Sequence, residues 1–147
     1  MASIPSKEEM YTELCKRHGK DRQDKFASSC VAVCGLGGLG SNIALSLARA
    51  GVGTLVLIDF DRVDVSNLHR QQYFADQVGM YKTDALKATL KSVMPYINIR
   101  THTVKITKDN IQELLSDAGS LVSSRVMLCA AHQAHTVLRI LSDEFDV

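Results

Sequence analysis

The sequence predicts an α/β fold: a Rossmann-like parallel sheet, incomplete, with three strands, an undecided fourth, and helices at both ends. Three observations predict it. A glycine-rich turn, Gly35-Leu36-Gly37-Gly38-Leu39-Gly40, lies between an apolar run, Val31 to Cys34, and a helical pattern, Ser41 to Arg49. A second apolar run, Thr54 to Ile58, follows at once and suits a strand buried on both faces. A helix and an alternating strand then complete the order strand, helix, strand, helix, strand, which is half of a doubly wound fold.

The elements follow in order. Ser6 to Phe26 reads as one charged helix, with Ser6 as N-cap and Glu9 three residues on, the pattern of a capping box. Strand one is Val31 to Cys34. Helix one runs from about Leu39 to Ala50 and stops at Gly51-Val52-Gly53. Strand two is Thr54 to Ile58. The polar connection Asp59 to Gln77 lacks periodicity and exceeds an ordinary crossover loop, which marks it as functional. Helix two, about Tyr81 to Val93, places Leu86, Leu90 and Val93 on one face, and Pro95 marks its exit. Strand three spans Ile97 to Ile106, and Thr107-Lys108-Asp109 caps a short helix through Leu115. The tail, Leu121 to Leu141, has two readings. The favoured one is a long helix capped by Ser123 or Ser124; the other makes Arg125 to Cys129 a short fourth strand.

A length of 147 residues suffices for one compact domain with a real core. We divide it into an N-terminal helical segment (1–28), a nucleotide-binding core (29–117) and a C-terminal helical tail (118–147). The formal net charge of +1 gives no broad basic surface for nucleic acid or acidic membranes. No run approaches the roughly 20 apolar residues that span a bilayer, and Met1 to Lys20 does not read as a secretory signal. The four cysteines form no Cys-x-x-Cys pair, and a reducing cytoplasm is the expected location. His132 and His135 lack a third ligand nearby, so no metal site is expected, and Cys129 reads as a buried helix residue rather than a nucleophile.

The glycine turn carries the chemistry. Glycine between a strand and a helix lets backbone N–H groups approach a phosphate at the positive end of the helix. Gly35, Gly37 and Gly40 satisfy a dinucleotide fingerprint. Asp59 follows at the end of strand two, at a distance suited to accepting hydrogen bonds from ribose hydroxyls. By themselves these residues fit NAD, FAD, S-adenosylmethionine or ATP.

The next stretch narrows the choice. Asp59-Phe60-Asp61 is followed by Ser66-Asn67-Leu68-His69-Arg70-Gln71 and by Gly79-Met80-Tyr81-Lys82. Together with the glycine turn, these motifs resemble the ThiF/MoeB-type adenylyltransferases, relatives of the ubiquitin-activating enzymes. That family carries a Gly-x-Gly-Gly-x-Gly turn, an Asp-x-Asp strand end, a Ser-Asn-Leu-x-Arg-Gln loop and a Gly-x-x-Lys helix start. The resemblance covers about residues 25 to 117, and the charged N-terminal helix is most similar to the shorter ThiF-like bacterial subfamily. It implies that Gly38, Asp59, the stretch Ser66 to Arg70 (with Asn67 able to hydrogen-bond phosphate or ribose) and Lys82 contact ATP. Charge agrees: a helix N-terminus supplies only about half a charge, so further cations should line a triphosphate's path. Arg70 can grip phosphate oxygens in a bidentate fork and Lys82 acts as a point charge. Asp61 and Asp64 read equally as partners of magnesium or ribose and as solvated loop carboxylates. Arg17 weakly resembles the arginine that family dimers insert into the neighbouring site, and reads first as exposed helix charge.

The resemblance implies ATP-dependent adenylation of the C-terminal glycine of a small ubiquitin-like sulfur carrier of the ThiS type, as in thiamine biosynthesis. ATP and magnesium are the implied cofactors, a homodimer the implied assembly, and Arg70 and Lys82 the implied catalytic pair. One departure stands out. The family continues after the third strand and its helix with a strand ending in Asp-Asn, whose aspartate helps hold magnesium. Here Asp117-Ala118-Gly119-Ser120 leads into Leu121 to Gln133, which resembles the subfamily's C-terminal segment. The chain therefore reads as carrying an internal deletion after about residue 117. Loss of strand four would expose strand one as an open edge, inviting dimerisation. Two alternatives follow: a shortened, non-catalytic remnant that binds nucleotide or a partner, and an NAD-linked oxidoreductase. The latter leaves Ser66 to Arg70 and Lys82 unexplained.

Overall fold

The computed structural model describes residues 3–116, 118 and 120–123 of the chain. Its centre is a four-stranded parallel sheet in the order β3-β2-β1-β4, formed by β1 (Cys30–Cys34), β2 (Thr54–Ile58), β3 (Asn98–His102) and β4 (Ser120–Ser123). Helices α3 (Gly40–Arg49) and α4 (Lys82–Val93) join the first three strands, and the short α5 (Ile111–Leu115) precedes β4.

Alternation along the strands sets the two faces of the sheet. Val31, Val33, Leu55, Leu57 and Ile99 pack with Ile43, Leu47, Leu86 and Leu90 of α3 and α4. Ala32, Val56 and Ile58 face the other way, against Ile106, Leu114, Leu115 and Ala118. β2 is thus buried on both faces, which is why it reads as an unbroken apolar run.

Three expectations are corrected. The single helix over Ser6 to Phe26 is two helices, α1 (Lys7–His18) and α2 (Lys20–Ser28), broken at Gly19. Gly19 adopts φ +85°, where a side chain is disfavoured, and its N–H closes α1 on Cys15 O at 2.8 Å. Tyr11 of α1 donates to Asp24 of α2 and so fastens the helices together, while Lys20 pairs with the same carboxylate at 2.6 Å within α2. The capping box itself forms as expected, with Ser6 N–H on Glu9 Oε2 and Glu9 N–H on Ser6 Oγ.

Strand three is shorter than its alternation suggests. It ends at His102, opposite Ile58, the last residue of β2; Asp59 N–H still donates to His102 O at 3.3 Å before the chain turns into the long loop. The third correction concerns the fourth strand. Residues 121–123 do not open a helix; they belong to β4, which pairs in parallel with β1 from Val31↔Ser120 to Cys34↔Ser123. β1 is therefore an interior strand rather than an open edge, and the sheet keeps the first four positions of the 3-2-1-4 order. The alternative strand at Arg125 to Cys129, the tail helix, Cys129, His132 and His135 lie outside the described residues. Among the described residues, no helix is long and apolar enough to cross a membrane.

Candidate functional site

The turn between β1 and α3 is built from residues that cannot easily be exchanged. Gly35 takes φ +82° and donates its N–H to Ile58 O at 2.8 Å, tying the ends of β1 and β2 together. At Gly40 an added Cβ would lie 1.7 Å from Gly35 O, so the helix can approach the turn only without a side chain there. Among the described residues nothing lies within 4 Å of a Cβ built at Gly37. Among the described residues no side chain caps α3, whose N-terminus starts directly from the turn.

Residue Leu36, inside the turn, is gripped on both sides. Its N–H donates to Asp59 Oδ2 at 2.6 Å, and its carbonyl accepts the Tyr73 hydroxyl at 2.7 Å. Asp59 is buried, and its other oxygen accepts the Asp61 N–H at 2.8 Å. Asp61 in turn receives Lys82, with Nζ to Oδ2 at 3.0 Å. A relay of polar contacts thus runs from the turn through Asp59 and Asp61 to Lys82 at the start of α4.

The long loop closes over this relay. Val63 N–H donates to Met80 O and Gly79 N–H to Val63 O, both at 2.9 Å, so the loop folds back as a clasp. Arg62 reinforces it by stacking over Tyr81, 3.9 Å from the ring centre, and donating to Gly79 O. Within the clasp, Asp64 caps a 3-10 turn, Val65–Asn67. Its carboxylate accepts Ser66 N–H at 2.8 Å while Asn67 Oδ1 accepts Asp64 N–H at 3.0 Å. Hydrogen bonds from Ser66 hold the Asp64 carboxyl below its ordinary value.

After this turn the chain straps across the start of α3. The Arg70 side chain lies over Gly38: a Cβ there would meet Nη1 at 2.9 Å. Asn42 donates to Gly38 O and Arg70 O, Gln72 N–H to Ser41 Oγ, and Gln72 Nε2 to Asn42 Oδ1.

Gly35, Gly37, Gly38, Gly40, Asp59, Asp61, Arg70 and Lys82 therefore share one end of the sheet. Ser66 and Asn67 stand apart: their described contacts build the loop turn, and Asn67 O receives the Arg70 N–H at 3.2 Å. Arg17 lies elsewhere. With Glu13 and Arg49 it lines a groove of about 950 Å³ between α1 and the C-terminal end of α3, away from the glycine turn. Sequence reasoning missed Ser41, Asn42, Gln72 and above all Tyr73, whose only signal was an aromatic residue in a polar loop.

Among the described residues no group of three or more His, Cys, Asp or Glu side chains could hold a metal ion. Asp59 is already bound by two backbone N–H groups and Asp61 by Lys82. Both carboxylates are thus engaged by donors of the chain itself, and no step below runs through magnesium.

The sequence profile of the ThiF family matches residues 11–125. The chain belongs to the ThiF family. It is 41% identical over 96 residues to a molybdopterin-synthase adenylyltransferase of Haemophilus influenzae, an alignment covering 65% of this chain and 40% of that protein. It is 38% identical over 96 residues to the adenylyltransferase and sulfurtransferase UBA4 of Scheffersomyces stipitis, covering 65% of this chain and 22% of UBA4. The fold is similar to E. coli tRNA N6-threonylcarbamoyladenosine dehydratase, TcdA, solved in complex with ATP: TM-score 0.71, 29% identity, 78% of this chain and 48% of that one. E. coli MccB with AMPCPP and MccA is also similar, with TM-score 0.67 and 31% identity over 71% of this chain and 32% of that one. Against each of these proteins, this ThiF-family chain spans less than half the relative's length.

Proposed function

We propose that this ThiF-family chain binds ATP at the glycine turn and transfers its adenylyl group to the C-terminal carboxylate of a small ubiquitin-like carrier protein. The carboxylate attacks the α-phosphorus; the bond to the β-phosphate oxygen breaks; an acyl-adenylate and pyrophosphate result. The chain's part is positioning and charge neutralisation. Arg70 and Lys82 answer the phosphate charge, Asp59 holds the turn and faces the ribose, and Gly37 leaves room for phosphate oxygens.

One observation carries this reading: an arginine laid over Gly38 and a buried lysine linked through Asp61 and Asp59 to the same turn. An NAD site needs no such pair of cations. The adenylyltransferase names of the relatives and the ATP complex of TcdA support the same reading. Within it we place a sulfur carrier of the ThiS type as the substrate, magnesium as the ion accompanying ATP, a homodimer as the assembly and the cytoplasm as the location. Ser66 and Asn67 then serve by shaping the loop that presents Arg70.

Carrier-dependent exchange of labelled pyrophosphate into ATP tests it. Exchange that requires both chain and carrier, and that is lost in the R70A/K82A double variant, is the expected result. Tight ATP binding without exchange would mark the chain as a nucleotide-binding remnant. Unchanged ATP affinity in a folded double variant would overturn the site.

A further inference from the structure

Two consecutive peptide planes of the glycine turn are fixed from outside it. The Asp59 carboxylate holds the Leu36 N–H and so sets the Gly35–Leu36 plane. The Tyr73 hydroxyl holds the Leu36 carbonyl and so sets the Leu36–Gly37 plane. In a trans peptide the carbonyl and the next N–H point in opposite directions. A carbonyl pinned towards Tyr73 therefore turns the Gly37 N–H away from Tyr73. Among the described residues nothing lies within 4 Å of a Cβ built at Gly37, and the same holds at Gly35.

We infer that Tyr73 is a positioning residue for the phosphates, aiming the Gly37 N–H outward from the turn towards an anionic ligand. The inference rests on the nucleotide reading of the turn. Burial first, and then the nearby Asp59 and Asp61 carboxylates, hold the Tyr73 phenol well above its ordinary range, so it stays a neutral donor. A carbonyl acceptor needs such a donor. Tyr73 is itself locked in place by the strap: its neighbour Gln72 is bonded to both Ser41 and Asn42.

Tyr73→Phe removes the hydroxyl and keeps the ring. Y96F is the control, since the Tyr96 hydroxyl also donates to a backbone carbonyl, Pro5 O at 3.0 Å. Calorimetric titration of the full chain with ATP and with adenosine gives the readout. One hydrogen bond corresponds to about a three- to tenfold loss of ATP affinity in Y73F, with adenosine affinity unchanged, because adenosine brings no phosphate to the turn. In the ligand-free protein the Gly37 amide resonance should move in Y73F and stay in Y96F. Equal loss for ATP and adenosine, an unmoved Gly37 resonance, or a Y73F chain that does not fold would each overturn the assignment, because each leaves the hydroxyl a general structural role or none. Wild-type chain that binds ATP while Y73F binds it equally well defeats this inference alone. Wild-type chain that binds no ATP defeats the nucleotide reading and this inference with it.

Discussion

The Lys82 ammonium lies 3.0 Å from the Asp61 carboxylate, yet the lysine side chain is 8% exposed and the aspartate 49%. The backbone repeats the contact, Lys82 N–H donating to Asp61 O at 3.0 Å. A shielded cation thus depends on a partner that sits at the water's edge. D61N leaves the ammonium without that charge and should lower stability by roughly 1–2 kcal/mol, a figure already reduced for the partner's exposure. Saturating ATP should narrow the gap to wild type, since phosphate oxygens can take over as partners. Thermal melts with and without ATP check this; a gap that ATP leaves untouched would mean that Lys82 does not meet the triphosphate.

The glycines of the turn should separate into two behaviours. G40A forces a methyl against Gly35 O, and backbone cannot step aside, so the variant should lose several kcal/mol or fail to fold. G37A meets nothing and should melt within about 0.5 kcal/mol of wild type, while losing ATP affinity because the methyl occupies the phosphate's space. G38A is intermediate: the clash is with the end of the Arg70 side chain, which can swing away. Melting temperature plotted against ATP affinity for the three variants distinguishes packing glycines from ligand glycines.

Asp64 gives a pH signature. Its carboxyl is held below the ordinary 3.8 by hydrogen bonds from Ser66 in the folded loop. A depressed folded value means that the cap's contribution is fully present above pH 3.8 and disappears as pH falls through the lower folded value. Loop amides should therefore report an unchanged cap from neutral pH down to about 4 and release only below it. D64A, which removes the acceptor, should loosen the Val65–Asn67 turn at every pH. Titration of the Ser66 amide resonance reads both effects.

Gln71 is buried, and its Oε1 is the buried side-chain oxygen without a hydrogen-bond partner among the described residues. An unpaired acceptor of this kind costs on the order of 1–3 kcal/mol. Gln71→Met keeps the length of the side chain and removes the acceptor, so the variant should melt higher than wild type. A lower melting temperature would show that the oxygen is satisfied in solution.

Much of this arrangement was legible in the sequence where the signal is local. Glycine spacing located the turn; the apolar runs located β1 and β2; Ser6 and Glu9 located the first cap. What escaped was decided at a distance. β4 holds only Leu121 and Val122 between two serines, too short for any period, and it is a strand because β1 offers an unpaired edge. Gly19 sat in plain view inside a helical pattern, but charge periodicity ran across it on both sides. Tyr73 and Leu36 are 37 residues apart, and Lys82 and Asp61 are 21 apart. Pairings of that kind arise from the closure of the loop and leave no mark in residue spacing.

The double grip on Leu36 also fixes an order of events during synthesis. The ribosome delivers the glycines long before their restraints: Asp59 comes 23 residues after Leu36 and Tyr73 comes 37 after it. Until Tyr73 clears the exit tunnel, the Leu36 carbonyl lacks its restraint, although Asp59 can already hold the Leu36 N–H. On the reading proposed above, a nascent chain stalled between those two residues carries the glycine motif with only half of its bracing.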